Sequence, residues 1–177
     1  MKTKQELYAM ALDAGFSTAA PLDVTTLEVH KEVRAMCASD KCHAYGKNWT
    51  CPPECGTLEQ CAAQMRPYSN GLLLQTSGKL EDSFDYEGMM DIEAHHRKAL
   101  HTFAVRMLAF YPNALCLGAG GCRVCKTCAH PAPCRFPDRA CSSMEAYGLL
   151  VTEVCTRNST PYYHGPNTIT YTACVLY

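Results

Sequence analysis

The sequence predicts an α+β fold, a small sheet covered by helices, with two cysteine-rich loops set into it. Three observations carry this. Apolar residues recur at helical spacing over 4–15 and again, for much longer, over 86–111. Short apolar or β-branched runs at 71–76, 114–118 and 168–177 read as strands, too few and too brief for a large sheet. Between them, two irregular stretches concentrate cysteine among glycine and proline.

In chain order, Lys4–Gly15 carries Leu7, Met10 and Ala11 on one helical face and is stopped by Gly15. Ala19–Val29 reads as extended. Leu22 and Val24 alternate, as do Leu27 and Val29, with a phase break at Thr25-Thr26 that suggests a bulge. A short helix from His30 to Met36 should deliver Cys37, and Thr57-Leu-Glu-Gln-Cys61 starts another just after Cys55. Gly71-Leu-Leu-Leu-Gln-Thr is a buried strand. Over Tyr86–Tyr111, Met89, Ile92, His96, Leu100, Phe103, Met107 and Phe110 line one face, and Glu87, Asp91, Glu93, Arg97, Lys98 and Arg106 populate the others. His95, His96 and His101 there read as surface or core histidines rather than ligands. Ala114–Gly118 is a strand feeding the second cysteine stretch. Ser142–Cys155 reads as a helix capped by Ser142 or Ser143, weakened by Gly148, and Thr168–Tyr177 as the last strand.

The first cysteine stretch is Cys37, Cys42, Cys51 and Cys55, spaced C-x4-C-x8-C-x3-C. Four thiols on one irregular segment suffice for an iron–sulfur cubane or a tetrahedral zinc ion. The second is Cys122, Cys125 and Cys128 at C-x2-C-x2-C, entered through Gly118-Ala-Gly-Gly and followed by Cys134 beside prolines. A tight loop with sulfur at every third residue wraps a cubane, whereas zinc more often takes two separated C-x2-C knuckles. Whether Cys134 completes that site is left open by the spacing. The glycines lack the Lys-Ser/Thr of a phosphate loop and suit close approach of backbone to a ligand instead.

Thirteen cysteines need an explanation inside a reducing compartment, since the amino terminus has no apolar leader core and an odd count suits no disulfide framework. A cytoplasmic metal or cluster protein is the expectation, one domain over 1–177. A net charge of −1 without basic runs excludes a nucleic acid held by electrostatics, and no stretch approaches the ~20 apolar residues of a membrane span.

Taken together, Cys37-x4-Cys42-His-Ala-Tyr-Gly-Lys-Asn-Trp-Thr-Cys51-Pro-Pro, Gly-Ala-Gly-Gly-Cys122-x2-Cys125-x2-Cys128, Pro133-Cys134-Arg-Phe-Pro and Ser143-Met-Glu-Ala-Tyr-Gly resemble the small cysteine-rich "predicted metal-binding" proteins of domain-of-unknown-function family 2284, from about Val33 to the carboxyl terminus. The resemblance implies an iron–sulfur or metal-binding protein of anaerobes that is redox active. It assigns no role to Cys61, Cys116, Cys141, Cys155 or Cys174. The function expected is two 4Fe-4S clusters passing electrons to or from a redox partner protein. An enzyme with an open iron for substrate or abstracted sulfur is one alternative, and a zinc-stabilised interaction module the other.

Overall fold

The computed structural model describes residues 2–177. Its centre is a four-stranded antiparallel sheet in the order β1-β2-β4-β3, formed by β1 (Thr18–Leu22), β2 (Gly71–Lys79), β3 (Leu115–Leu117) and β4 (Thr168–Leu176). The long pair β2–β4 runs in register from Gly71↔Leu176 to Lys79↔Thr168. Because side chains alternate across a strand, its apolar run divides between two faces. Leu72, Leu74, Ala173 and Val175 turn to one core, Leu73, Cys174 and Leu176 to the other. A sheet buried on both faces explains why Gly71–Leu74 shows no polar alternation. Pro21 falls on the edge strand β1, where its missing N–H costs no ladder bond on the open side.

Helices α1 (Lys4–Ala14) and α4 (Tyr86–Phe110) cover the first face with Leu7, Ala11, Leu100, Phe103 and Met107. Thr3 and Glu6 form a reciprocal capping box at the start of α1, and Gly15 closes its end in the left-handed region. Asp85 caps α4 by accepting the Gly88 N–H at 2.8 Å. The long helix has the expected stripe with two corrections. Phe110 is exposed, and Glu93, assigned by periodicity to a polar face, is buried against the loop that follows β3. The second face is covered by α3 (Leu58–Met65), α5 (Val151–Arg157) and the Met144–Leu149 segment, through Cys61, Met65, Val154, Met144, Tyr147 and Leu149. No described helix is long and apolar enough to cross a membrane.

Two further expectations give way. The extended reading of 19–29 holds only over Thr18–Leu22. Asp23 then accepts the Thr25 N–H at 2.9 Å and caps a 3-10 turn, Val24–Thr26, leaving Val29 a single bridge to Leu149. An Asx turn thus takes the place of a bulge. The helix expected over 142–155 is divided: a 3-10 turn at Glu145–Tyr147 ends at Gly148 (φ 78°), and α5 starts at Val151. Ser143 does cap the first piece, accepting the Ala146 N–H at 3.0 Å.

Gly148 is needed there on two counts. A side chain in the left-handed region costs roughly 1–2 kcal/mol, and a Cβ at this position would stand 2.4 Å from Leu58 Cδ2. Gly148→Ala should therefore lower unfolding stability by about 1–3 kcal/mol in a urea titration of the metal-loaded protein. Gly165→Ala, where φ is +106° but nothing lies within 4 Å, should carry only the backbone part.

Candidate metal centre

Helix α2 (Lys31–Ala38) leads into the first cysteine segment, and Cys37 lies in its last turn with Sγ 3.9 Å from the Glu145 carbonyl. Cys42 is exposed on the loop beyond, which local polar bonds hold in shape. Asp40 accepts from Tyr45 N–H and Lys47 Nζ, both at 2.9 Å, and Gly46 N–H donates to the Pro52 carbonyl at 2.9 Å. Cys51 is buried, and Cys55 follows within one turn, its N–H on the Cys51 carbonyl at 3.0 Å. Cys55 Sγ lies 3.6 Å from the Ala146 carbonyl, so both ends of this segment rest on the Glu145–Tyr147 turn.

The second segment leaves β3 through glycines that permit close approach. At Gly118 a Cβ would meet Leu100 of α4 at 2.8 Å, and at Gly121 it would lie 3.8 Å from Cys51 Sγ. Parallel bridging to Ser143 fixes this exit, with Gly118 N–H on the Ser142 carbonyl (2.8 Å) and Met144 N–H on the Gly118 carbonyl (2.9 Å). The two cysteine segments then grip each other. Asn48 Nδ2 donates to the Cys122 carbonyl at 3.3 Å, and Trp49 Nε1 to the Ala132 carbonyl at 2.9 Å. The Trp49 ring meets His130 edge-on at 4.9 Å, and His130 Nε2 lies 3.3 Å from Glu54. Cys122, Cys125, Cys128 and Cys134 share the walls of one small cavity closed by Trp49 and Thr50. Cys134, the residue whose place the spacing left open, thus faces the same space as the other three.

In the first segment, burial disfavours thiolate at Cys51 and Cys37. Burial pushes the Cys51 thiol up to about 11, and the nearby Cys42, Cys37 and Cys122 add to it. Burial, then the Glu145 charge, raises Cys37. The exception is Cys61, whose Sγ donates to the Cys55 carbonyl at 3.7 Å. Its contact with Cys55 holds Cys55 up and Cys61 down, with burial adding to the first and the Arg34 guanidinium favouring thiolate on the second. Arg34 Nη2 lies 3.3 Å from Cys61 Sγ while Nη1 donates to the Gly56 carbonyl at 2.9 Å. Sequence reasoning took Cys61 as a packing residue. It is fully buried, as that reading requires, yet it also borders the site. The one available signal was its place in the first turn and a half of a helix that starts right after Cys55. Arg34, three residues before Cys37, gave none.

Cys174 is wholly buried in the sheet, and Cys155 lies against Gln75 Nε2 at 3.7 Å. Cys141 Sγ donates to the Cys116 carbonyl at 2.9 Å, and burial pushes Cys116 up to about 12.

The donor set is soft and thiol-rich, which suits iron–sulfur clusters and zinc alike. Four thiolates on zinc, each about 2.3 Å from the ion, stand within roughly 4 Å of one another. Among the described residues, the ligand atoms converging within 4.8 Å belong to Glu28, His30 and Glu153, not to three thiols. That trio is an ion-pair network, because Arg157 sits 2.8 Å from Glu28 and 2.6 Å from Glu153.

Of the histidines on α4, His95 Nε2 bonds the Gly15 carbonyl at 2.8 Å, and His96 packs on Phe16 with Nδ1 3.0 Å from Thr76 Oγ1. Burial, then the His95 and Arg97 charges, pushes His96 down from 6.5 to about 4. Both folded and unfolded chains are neutral here above the unfolded value, and below it only the unfolded chain takes up the proton. Stability should therefore fall as pH drops from 6.5 towards 4. His96→Gln should lose about 2 kcal/mol less than the parent between about pH 7 and pH 5, read from urea midpoints at equal metal loading.

A family model described as "Predicted metal-binding protein (DUF2284)" matches residues 20–177. Comparisons with curated proteins and with solved structures returned no match.

Proposed function

Since the chain belongs to the DUF2284 family of predicted metal-binding proteins, we propose that it holds two 4Fe-4S clusters and passes single electrons to or from a redox partner protein. Cys37, Cys42, Cys51 and Cys55 are the ligands of one, Cys122, Cys125, Cys128 and Cys134 those of the other. The observation that carries this reading is the common cavity of the second quartet, closed by the first segment's Trp49 and Thr50.

Clusters held in these loops supply one-electron transfer. The chain's own part is to gather thiols that burial would otherwise keep protonated, so that cluster assembly releases protons and draws the loops together. Arg34 sets a positive charge beside the first quartet, and a cation near a cluster favours its reduced, more negative state. Trp49, Pro133 and Pro137 line one cleft beside Cys134. Exposed Met36, next to Cys37, and exposed Phe136, two residues beyond Cys134, give the partner an apolar footing beside each.

Anaerobic reconstitution should yield about eight irons and eight acid-labile sulfides per chain. About two zinc ions without sulfide would assign the loops to the zinc module instead. Within the reconstituted protein, Cys125→Ala should lose roughly half of the iron and Cys155→Ala almost none. Equal losses in iron assays of the two variants would overturn the division between ligand and core thiols.

A further inference from the structure

Helix α4 and the Gly118–Val124 strand exit do not close on each other. They leave a cavity of about 510 Å³, within the ~300–1,000 Å³ span of small-molecule sites. It is separate from the small space shared by the second quartet, with Cys122, Val124 and Ala140 common to both walls.

Its lining has two characters. Ala104 and Leu108 of α4, with Leu115 and Val124 opposite, supply an apolar surface. Arg97, Lys98, Arg123 and Arg139 supply cations, against Asp138 as the lining carboxylate. Glu93 satisfies part of this charge, 2.8 Å from Arg97 and 3.9 Å from Arg123. Among the described residues, neither Lys98 nor Arg139 has a carboxylate within salt-bridge distance. The concentration is local, for the whole chain carries a net charge of −1. His96 stands behind this lining, wholly buried and out of a guest's reach.

We infer that this cavity binds a small organic carboxylate, its hydrocarbon body on the Ala104–Leu108 surface and its anionic end among Arg97, Lys98, Arg123 and Arg139. Inorganic anions would use the cations alone and neutral analogues the apolar surface alone, so the combination selects for both parts in one molecule. The inference goes beyond electron transfer and does not depend on which metal the cysteines hold. It does give a bound guest a position against Cys122.

The test is calorimetric titration of the metal-loaded protein with benzoate and hexanoate, against benzamide and inorganic phosphate at matched ionic strength. Saturable binding of one carboxylate per chain is expected, about ten-fold or more tighter than either control. Lys98→Gln/Arg139→Gln, both at exposed positions, should weaken it by about ten-fold, and Ala104→Trp should abolish it by filling the apolar part. Iron and zinc contents, measured on every sample, report the cysteine sites separately. Full metal loading with no carboxylate preference over benzamide and phosphate would overturn the inference and leave the metal reading intact. Unchanged carboxylate affinity in the double variant would overturn it too, whether or not the tryptophan variant folds. A chain loaded with zinc that still prefers carboxylates would keep it.

Discussion

The β2–β4 ladder is the constraint from which the rest follows. Nine residues on each strand are paired, and both faces of the pair are buried. An element can therefore join this molecule on one face or the other, or along an outer edge. Helices α1 and α4 take one face, while α3, α5 and the Met144–Leu149 segment take the other. The short strand β3 takes the β4 edge with three residues and then releases the chain at Gly118. That release point sits between the two layers, under Leu100 of α4 on one side and beside Met144 on the other. The cysteine segments are thus hung from the rigid part at a few fixed points and are irregular in between.

Those fixed points set the electrostatic problem that a metal solves. Thiolates converging in a buried place repel each other and lose water, so Cys51 and Cys37 favour the protonated state without a metal. Arg34 offsets a part of this beside Cys55 and Cys61, but its own Nε is left unpartnered. A metal centre supplies the missing positive charge and the missing cross-links together, which ties occupancy to the order of the loops. The Glu145–Tyr147 turn shares in this, since its carbonyls accept from Cys37 and Cys55 while its residues Ala146 and Tyr147 are buried in the protein interior.

Period-based features were legible in the sequence. The α4 stripe, the buried strand at 71–76 and the Gly15 stop follow from spacing and chain geometry alone. Features decided by tertiary contact were not. Glu93 sits at a position that periodicity assigns to solvent, yet the returning Gly118–Gly121 loop buries it. The Thr25-Thr26 phase break was visible, but its resolution as an Asp23-capped turn depended on a side-chain bond that competes with the strand. Gly148 was seen as a weakness in a helix. Its use as a left-handed stop depended on Leu58 and His30 standing close by. At the metal centre, spacing identified two cysteine groups. It gave no sign of Arg34, because a cation three residues before a cysteine is unremarkable until the helix containing Cys61 packs against it.

Trp49 is the chain's one tryptophan, and it lies at the seam between the two cysteine segments, bonded to Ala132 and set against His130. Indole emission from this protein therefore originates at the seam and not in the sheet. Its intensity and colour follow whether the loops are joined, independently of whether β2 and β4 remain paired. An iron–sulfur chromophore among the surrounding thiols would also quench it, so the indole gives a label-free optical record of loop closure and cofactor occupancy.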